Sequence, residues 1–278
     1  MKLFTLNTHS LVEGEGEYQA SVLAEAILDE GFDVIALQEV NQPRNAAAIE
    51  ADKLWHFTAC SEQIPLREGN FAYAVICALA SAGAHYHWCY LPVKIGYGKY
   101  DEGLAFLCRT PILAWDSALL SLRSDYDNWK TRRMLCVRTE GYEDWFFNLH
   151  LGWWEDEEEP FVAHWARLLP HLSDKKRYWL MGDMNAPAEL EGEGYDLFRN
   201  SGLYDAYALA EQRSGEGTAR ARIDGWRDRG TFADWLRIDQ IWSSHARRIL
   251  SCNTMLDGVR YPVISDHFGV AVTAEEVE

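Results

Sequence analysis

Along this chain, short apolar runs end again and again in a polar residue able to do chemistry. Asn7 closes Leu3-Phe4-Thr5-Leu6, Glu39 closes Val34-Ile35-Ala36-Leu37-Gln38, and His150 closes Phe146-Phe147-Asn148-Leu149. Asp183 and Asn185 follow Tyr178-Trp179-Leu180-Met181-Gly182. Asp239 sits within Arg237-Ile238-Asp239-Gln240-Ile241-Trp242, and Asp266-His267 precede Phe268-Gly269-Val270-Ala271-Val272. The runs predict strands at 34–38, 72–80, 85–91, 103–109, 134–139, 144–150, 178–182, 238–243 and 268–273. Several alternate with period two, as in His85-Tyr86-His87-Trp88-Cys89-Tyr90. Two stretches carry helical spacing instead. Ala20, Leu23, Ala24, Ile27 and Leu28 share one face, with Gly31 placed as the stop. Behind Pro160, so do Phe161, Trp165, Leu168, Leu169 and Leu172. The first forty residues read as strand–helix–strand. No repeat or Pro/Gly/Ser linker divides the chain, and the polar tips run from 7 to 267. That predicts a single domain over 1–278. The stretch 211–230, rich in Arg, Gly and Glu, reads as a long loop.

Composition narrows the partners. Hydrophobic content of 48%, with 12 Trp, 13 Tyr and 11 Phe, is ample for a sizeable core. The 26 Lys and Arg against 43 Asp and Glu give a formal charge of −17. A protein that neutralises many phosphates of a duplex needs clustered cations, so this balance argues against nucleic acid. A small anion held by a metal and a few local cations escapes that objection. The start shows no signal-peptide pattern, and no apolar stretch approaches the ~18 residues that span a bilayer. The six cysteines are scattered, and Cys77, Cys89, Cys108 and Cys136 lie in strand-like runs. The expectation is a reduced, cytoplasmic protein without membrane contact.

Each tip has an ordinary reading when taken alone. Asn7 is a turn former, Glu39 a strand-end carboxylate and His150 a satisfied core histidine. Gly182-Asp183-Met184-Asn185 is an Asx turn, and Asp266 a cap. Together the tips outweigh these separate readings. Carboxylates, carboxamides and imidazoles along one rim bind a hard cation and activate a water. Trp153 and Trp154 directly follow His150-Leu151-Gly152, and flat indole faces there suit a sugar ring, with core packing as the competing role. Lys130 and Arg132, with Lys99 and Arg133, are candidate anion clamps or plain surface charges.

The segments LNTHS at 6–10, IALQEV at 35–40, DEGLAFLCRTPI at 101–112, NLHLG at 148–152, GDMN at 182–185, RIDQIW at 237–242 and SDHFGV at 265–270 carry a resemblance. On them the chain resembles the endonuclease/exonuclease/phosphatase superfamily over essentially its whole length. The resemblance implies a four-layer α/β sandwich, two packed mixed sheets flanked by helices, with the site at one rim. It implies Mg²⁺, with Mn²⁺ as the alternative, held mainly by Glu39 with Asn7 and Asp266 beside it. Asp183 would orient or deprotonate the attacking water, and Asn185 would donate to a phosphoryl oxygen. His267 steered by Asp239, and His150 held by Glu102, would meet the developing charge.

DYDNWKTRR at 125–133 and NLHLGWWEDEEEPF at 148–161 are further similar to a bacterial sugar-phosphate phosphatase subgroup known for maltose 6′-phosphate. The expectation is therefore a phosphomonoesterase on a small sugar phosphate, with Trp153 and Trp154 against the sugar and Lys130 or Arg132 at the phosphate. A phosphodiesterase of nuclease or sphingomyelinase type is the alternative, and a non-catalytic binding module the third reading.

Overall fold

The computed structural model of the chain describes residues 1–278 apart from 13, 15, 62, 224, 228–233 and 276–278. β1 (Lys2–Asn7), α1 (Gly16–Glu30), β2 (Val34–Pro43), β3 (Phe57–Ala59) and α2 (Phe71–Ser81) come first. β4 (His87–Gly96), β5 (Tyr100–Cys108), β6 (Ile112–Leu119), β7 (Arg133–Thr139) and β8 (Trp145–His150) follow. Next come α3 (Phe161–Ser173), β9 (Tyr178–Asp183), α4 (Gly194–Asn200), β10 (Tyr204–Asp205), α5 (Ala206–Leu209) and β11 (Gln212–Ser214). β12 (Ala219–Arg220), β13 (Trp235–Leu236), β14 (Asp239–Ser243), β15 (Ile249–Met255) and β16 (Gly269–Ala274) complete the order.

Two mixed sheets form, in the orders β11-β15-β16-β1-β2-β5-β4-β3 and β10-β14-β9-β8-β7-β6, with β12-β13 as a separate ladder. Period-two alternation sorts the side chains into layers. Leu3, Val34, Ala36, Phe106, Phe146, Trp179 and Met181 meet in a core between the sheets. Their neighbours Phe4, Ile35 and Leu37 face outward against α1 and α2. Phe147 and Leu180 face the other way, against α3 and α4. The result is the four-layer α/β sandwich. Each fully buried Leu, Ile or Phe contributes roughly 1.5–3 kcal/mol to it. One polar seam crosses the middle layer. Gln38 Nε2 on β2 donates to Asn148 Oδ1 on β8 at 2.7 Å, and Asn148 Nδ2 donates to the carbonyls of Leu37 and Ala105 at 2.9 and 2.8 Å.

Local chemistry sets the element ends. Gly31, at φ +65°, supplies the left-handed residue that stops α1. Pro160 caps α3, as its position predicts. The run 72–80 is a helix, not a strand. An unbroken apolar run carries no period of its own, and here Asn70 decides, its side chain accepting from Tyr73 N–H at 3.0 Å. Phe71, Ala72, Val75, Ile76 and Leu79 form the buried face, so Cys77 lies on a helix as well. Within 211–230, β11 and β12 interrupt the expected loop; residues 224 and 228–230 of it lie outside the described residues. No described helix is long and apolar enough to cross a membrane.

Candidate active site

The tips converge on one rim. In register, His150 lies beside Asp183 on parallel β8 and β9, and Asp239 lies across from Asp183 on antiparallel β14. Gly182 lets β8 and β9 approach this closely: at φ +138° it sits where a Cβ would come within 2.0 Å of the Leu149 carbonyl. From the other sheet, β1 brings Asn7 and β2 brings Glu39. Glu39 lies in a bulge, since the β2–β5 register runs Leu37↔Ala105 and then Val40↔Gly103. That extra residue re-aims the carboxylate, and its φ of +49° is sparsely populated for a non-glycine residue. Asn185, at φ +47°, shares this conformation. Such backbone recurs at functional sites, where surrounding contacts hold it.

Hydrogen bonds knit the rim. Asn7 Nδ2 donates to Glu39 Oε1 at 2.9 Å and to Asp183 Oδ2 at 3.1 Å, bridging the two carboxylates. Asn7 Oδ1 accepts from His9 N–H at 3.2 Å. Asp183 Oδ1 accepts from Asn185 N–H at 2.9 Å. Asp239 Oδ2 pairs with His267 Nδ1 at 2.8 Å, which leaves His267 Nε2 facing Asp183 Oδ2 at 3.9 Å. His150 Nε2 stands 3.6 Å from Asp183 Oδ2 and 3.9 Å from Glu39 Oε1.

Electrostatics divides these groups into charged and neutral forms. Burial lifts Asp183 from its ordinary 3.8 to about 7, with the neighbouring Asp239 adding to the rise and the His267 charge opposing it. Burial, then the charge of Glu102, raises Glu39. For His267, burial disfavours the proton, but the Asp239, Asp183 and Asp266 carboxylates outweigh it and hold the ring well above 6.5 as an imidazolium. Burial and the cations Arg132, Lys94 and His267 push His150 well below 6.5, so it is neutral. One imidazole is thus a charged donor and the other an uncharged partner for protons.

A cavity of about 320 Å³ opens over the rim, lined by Glu39, Glu102, His150, Asp183, Asn185 and His267. Its walls include Trp153, Arg132 and three residues that sequence reasoning missed, Lys94, Tyr97 and Trp129. Glu102 pairs with Lys94 at 3.1 Å and not with His150. Lys94 stands in a second bulge, where the β4–β5 register shifts between Pro92↔Gly103 and Lys94↔Glu102. Lys94 Nζ and Arg132 Nη1 both donate to the Trp129 carbonyl, at 2.8 and 3.0 Å. Trp129 itself is 54% exposed at the mouth.

Other expectations fall elsewhere. Trp154 packs against Phe161 and the α3 core, whereas its neighbour Trp153 lines the cavity. Lys130 is engaged by Asp156 at 2.9 Å and Glu158 at 3.1 Å, two members of the acidic run beside it. Asp266 stands behind the rim, 3.3 Å from His9 Nδ1, while His9 Nε2 meets the Tyr97 hydroxyl at 2.6 Å. Neither Lys99 nor Arg133 lines this cavity. Arg133 borders a small cleft beneath it. A larger cavity of about 490 Å³, on the outer face of the first sheet near Arg260 and Tyr261, contains none of the tips.

The oxygen-rich donor set suits a hard divalent cation. Two observations support the fit. Glu39 and Asp183 are both raised by burial, which a bound cation relieves, and Asp239 Oδ1 is buried without a hydrogen-bond partner. Asp183, Asp239 and His267 also offer ligand atoms all within 4.8 Å of one another. His267 Nδ1 and Asp239 Oδ2 are already paired with each other at 2.8 Å, however, which ties up one atom of each. Glu39 with the Asn7–Asp183 side is the better seat.

A sequence model of the Endonuclease/Exonuclease/phosphatase family matches residues 4–267. No curated protein matches the chain. Among solved structures, an endonuclease/exonuclease/phosphatase family protein from Leptotrichia buccalis is 27% identical, with a TM-score of 0.84 over 99% of this chain and 100% of that one. A mannosyl-6-phosphatase from Bacteroides thetaiotaomicron is 21% identical, with a TM-score of 0.66 over 99% and 100%. A 3′ phosphatase from Neisseria, bound to a product DNA hairpin, is 18% identical, with a TM-score of 0.61 over 99% and 100%. The last two share the fold.

Proposed function

The chain belongs to the endonuclease/exonuclease/phosphatase family, hydrolases of phosphoesters that generally depend on a divalent metal, and from that premise we propose a phosphomonoesterase acting on a small sugar phosphate. One observation carries the reading: catalytic tips, two buried cations and aromatic faces share a single cavity of about 320 Å³, at the low end of small-molecule sites. The charge of −17 counts against a polyanionic substrate. A bacterial sugar phosphatase with the same fold is in keeping with it. Residues 1–278 act as one domain in this reading, and six free cysteines suit a reducing cytoplasm.

Mg²⁺, with Mn²⁺ as the alternative, would be held by Glu39 with Asn7 and Asp266 nearby, and would supply positive charge against the phosphoryl group. Asp183, ionised above about pH 7, orients and deprotonates the attacking water. Asn185 and the His267 imidazolium donate to the non-bridging oxygens as charge develops. His150, neutral, donates from its one ring N–H to the same group. Lys94 and Arg132 meet the second charge of a monoester, while Trp129 and Trp153 present flat faces to the sugar. The test is phosphate release from a panel of hexose and disaccharide phosphates with Mg²⁺ or with EDTA, run beside a plasmid-nicking assay. Fast, EDTA-sensitive release from one sugar phosphate supports the reading. Activity confined to DNA sinks it.

A further inference from the structure

Between Gly217 and Ile238 the described residues carry the β12–β13 ladder, an excursion from the two main sheets in which Ala219 pairs with Leu236 and Arg220 with Trp235. This excursion reaches several members of the site at once. Ala219 makes a bridge with His267, and Thr218 Oγ1 accepts from the backbone N–H groups of Ile238 and Asp239 at 3.1 and 3.0 Å. The Trp226 indole N–H donates to Asn185 Oδ1 at 2.8 Å. Gly225, at φ +84°, lies so near Trp153 that a Cβ there would come within 2.4 Å of the indole. Trp153, Ala219, Ala221, Trp226, Leu236 and Ile238 form an apolar cluster of their own, apart from the three layered cores.

The bond from Trp226 sets which way the Asn185 carboxamide faces. Asn185 Nδ2 donates one hydrogen to the Leu151 carbonyl at 3.0 Å, and Oδ1 is taken by the indole. The remaining N–H is the one left for the cavity that Asn185 lines. Rotated by half a turn, the amide would set its oxygen against the Leu151 carbonyl and its NH₂ against the indole donor. Both contacts would then be mismatched in a buried setting, where an unsatisfied polar group is expensive.

We propose that Trp226 is a positioning residue, whose buried indole holds the Asn185 carboxamide with one N–H toward the phosphate, and whose segment joins that alignment to the aromatic wall through Gly225 and Trp153. The inference rests on Asn185 being a phosphate donor, and not on which alcohol the phosphate esterifies.

The experiment is a double-mutant cycle between Trp226→Phe and Asn185→Ala. It is read as kcat and KM on the phosphate ester that the wild type cleaves best, and as affinity for inorganic phosphate. Phenylalanine keeps most of the ring volume and removes the donor. Trp226→Phe is expected to lower kcat about ten-fold with KM nearly unchanged, as one lost hydrogen bond to a working group would. In the Asn185→Ala background the same change is expected to cost less than about two-fold. Equal losses in both backgrounds, or an unchanged kcat in Trp226→Phe, overturn the proposal. Should Trp226→Phe fail to fold, Gly225→Ala replaces it in the cycle. The added Cβ displaces the segment from Trp153 without removing either hydrogen-bonding group, and additivity there overturns the proposal equally. A wild type that cleaves only nucleic acid sinks the sugar-phosphate reading and leaves this cycle to be run on that substrate. If the wild type shows no turnover, a loss of inorganic phosphate affinity in Trp226→Phe that disappears in the Asn185→Ala background supports the proposal, and an unchanged affinity overturns it.

Discussion

Replacing Asp183 with asparagine should make the metal-free protein more stable at alkaline pH while removing its activity. Burial raises this carboxyl to about 7 from 3.8. The stability tied to a raised acid is fully present below its unfolded value and is lost as the pH climbs through about 7. At pH 8 that loss is about 4 kcal/mol, and at pH 4 it is under about 1 kcal/mol. Asparagine cannot ionise, so it avoids the loss. It keeps an oxygen for the Asn185 N–H but sets an NH₂ against the Asn7 Nδ2 donor, forfeiting that 3.1 Å hydrogen bond. The forfeit is about 1 kcal/mol. In EDTA, thermal unfolding should therefore rise by roughly 5–10 °C at pH 8 and stay level or fall slightly at pH 4. Turnover with Mg²⁺ should drop at least ~10²–10³-fold. A shift of the same sign and size at both pH values would refute the electrostatic account, and near-normal turnover would refute the catalytic one.

Three further changes probe separate parts of the site. Trp129→Ala, at an exposed ring, should raise KM for the sugar phosphate about ten-fold while sparing p-nitrophenyl phosphate and the melting temperature; equal effects on both substrates would remove the ring from sugar recognition. Asp239→Asn should lower the pH at which the His267 ring gives up its proton, visible by NMR titration. Because a raised histidine stabilises most below its unfolded value, the variant should lose more stability at pH 5 than at pH 9; an unshifted ring would show that Asp239 does not steer it. Glu39→Gln should weaken Mg²⁺ activation at least ~10-fold, read as the metal concentration giving half-maximal rate, and an unchanged midpoint would move the cation to the Asp183–Asp239 side.

The strand tips were legible in the sequence because an apolar run and the polar residue that ends it are neighbours in the chain. Helices α1 and α3 were legible for the same reason, since period, cap and stop are local. The run 72–80 was not: alanine-rich apolar residues without alternation suit either element, and the deciding signal was one asparagine at position 70. The two β-bulges that aim Glu39 and Lys94 exist only in the pairing with β5, so nothing near either residue announces them. Lys94 and Tyr97 reach the cavity from the end of β4 and Trp129 from the loop before β7, while Trp226 touches Asn185 from a segment remote from both. Trp153 and Trp154, adjacent in the chain, divide between cavity and core, which composition alone cannot distinguish. Glu102 was found at the right place with a different partner, a cation that its strand neighbour supplies.

The Gln38–Asn148 seam and the rim above it share one origin. Asn7, Glu39 and Glu102 belong to one sheet, while His150, Asp183 and Asp239 belong to the other. Neither sheet carries half of the chemistry in usable form, because the Asn7 bridge to Asp183 spans the gap between them. On the proposed mechanism, turnover would therefore be a gauge of docking: either sheet formed alone would be silent, however well ordered that sheet is. In that reading, a molecule that loosens between its layers would stop working before it unravels.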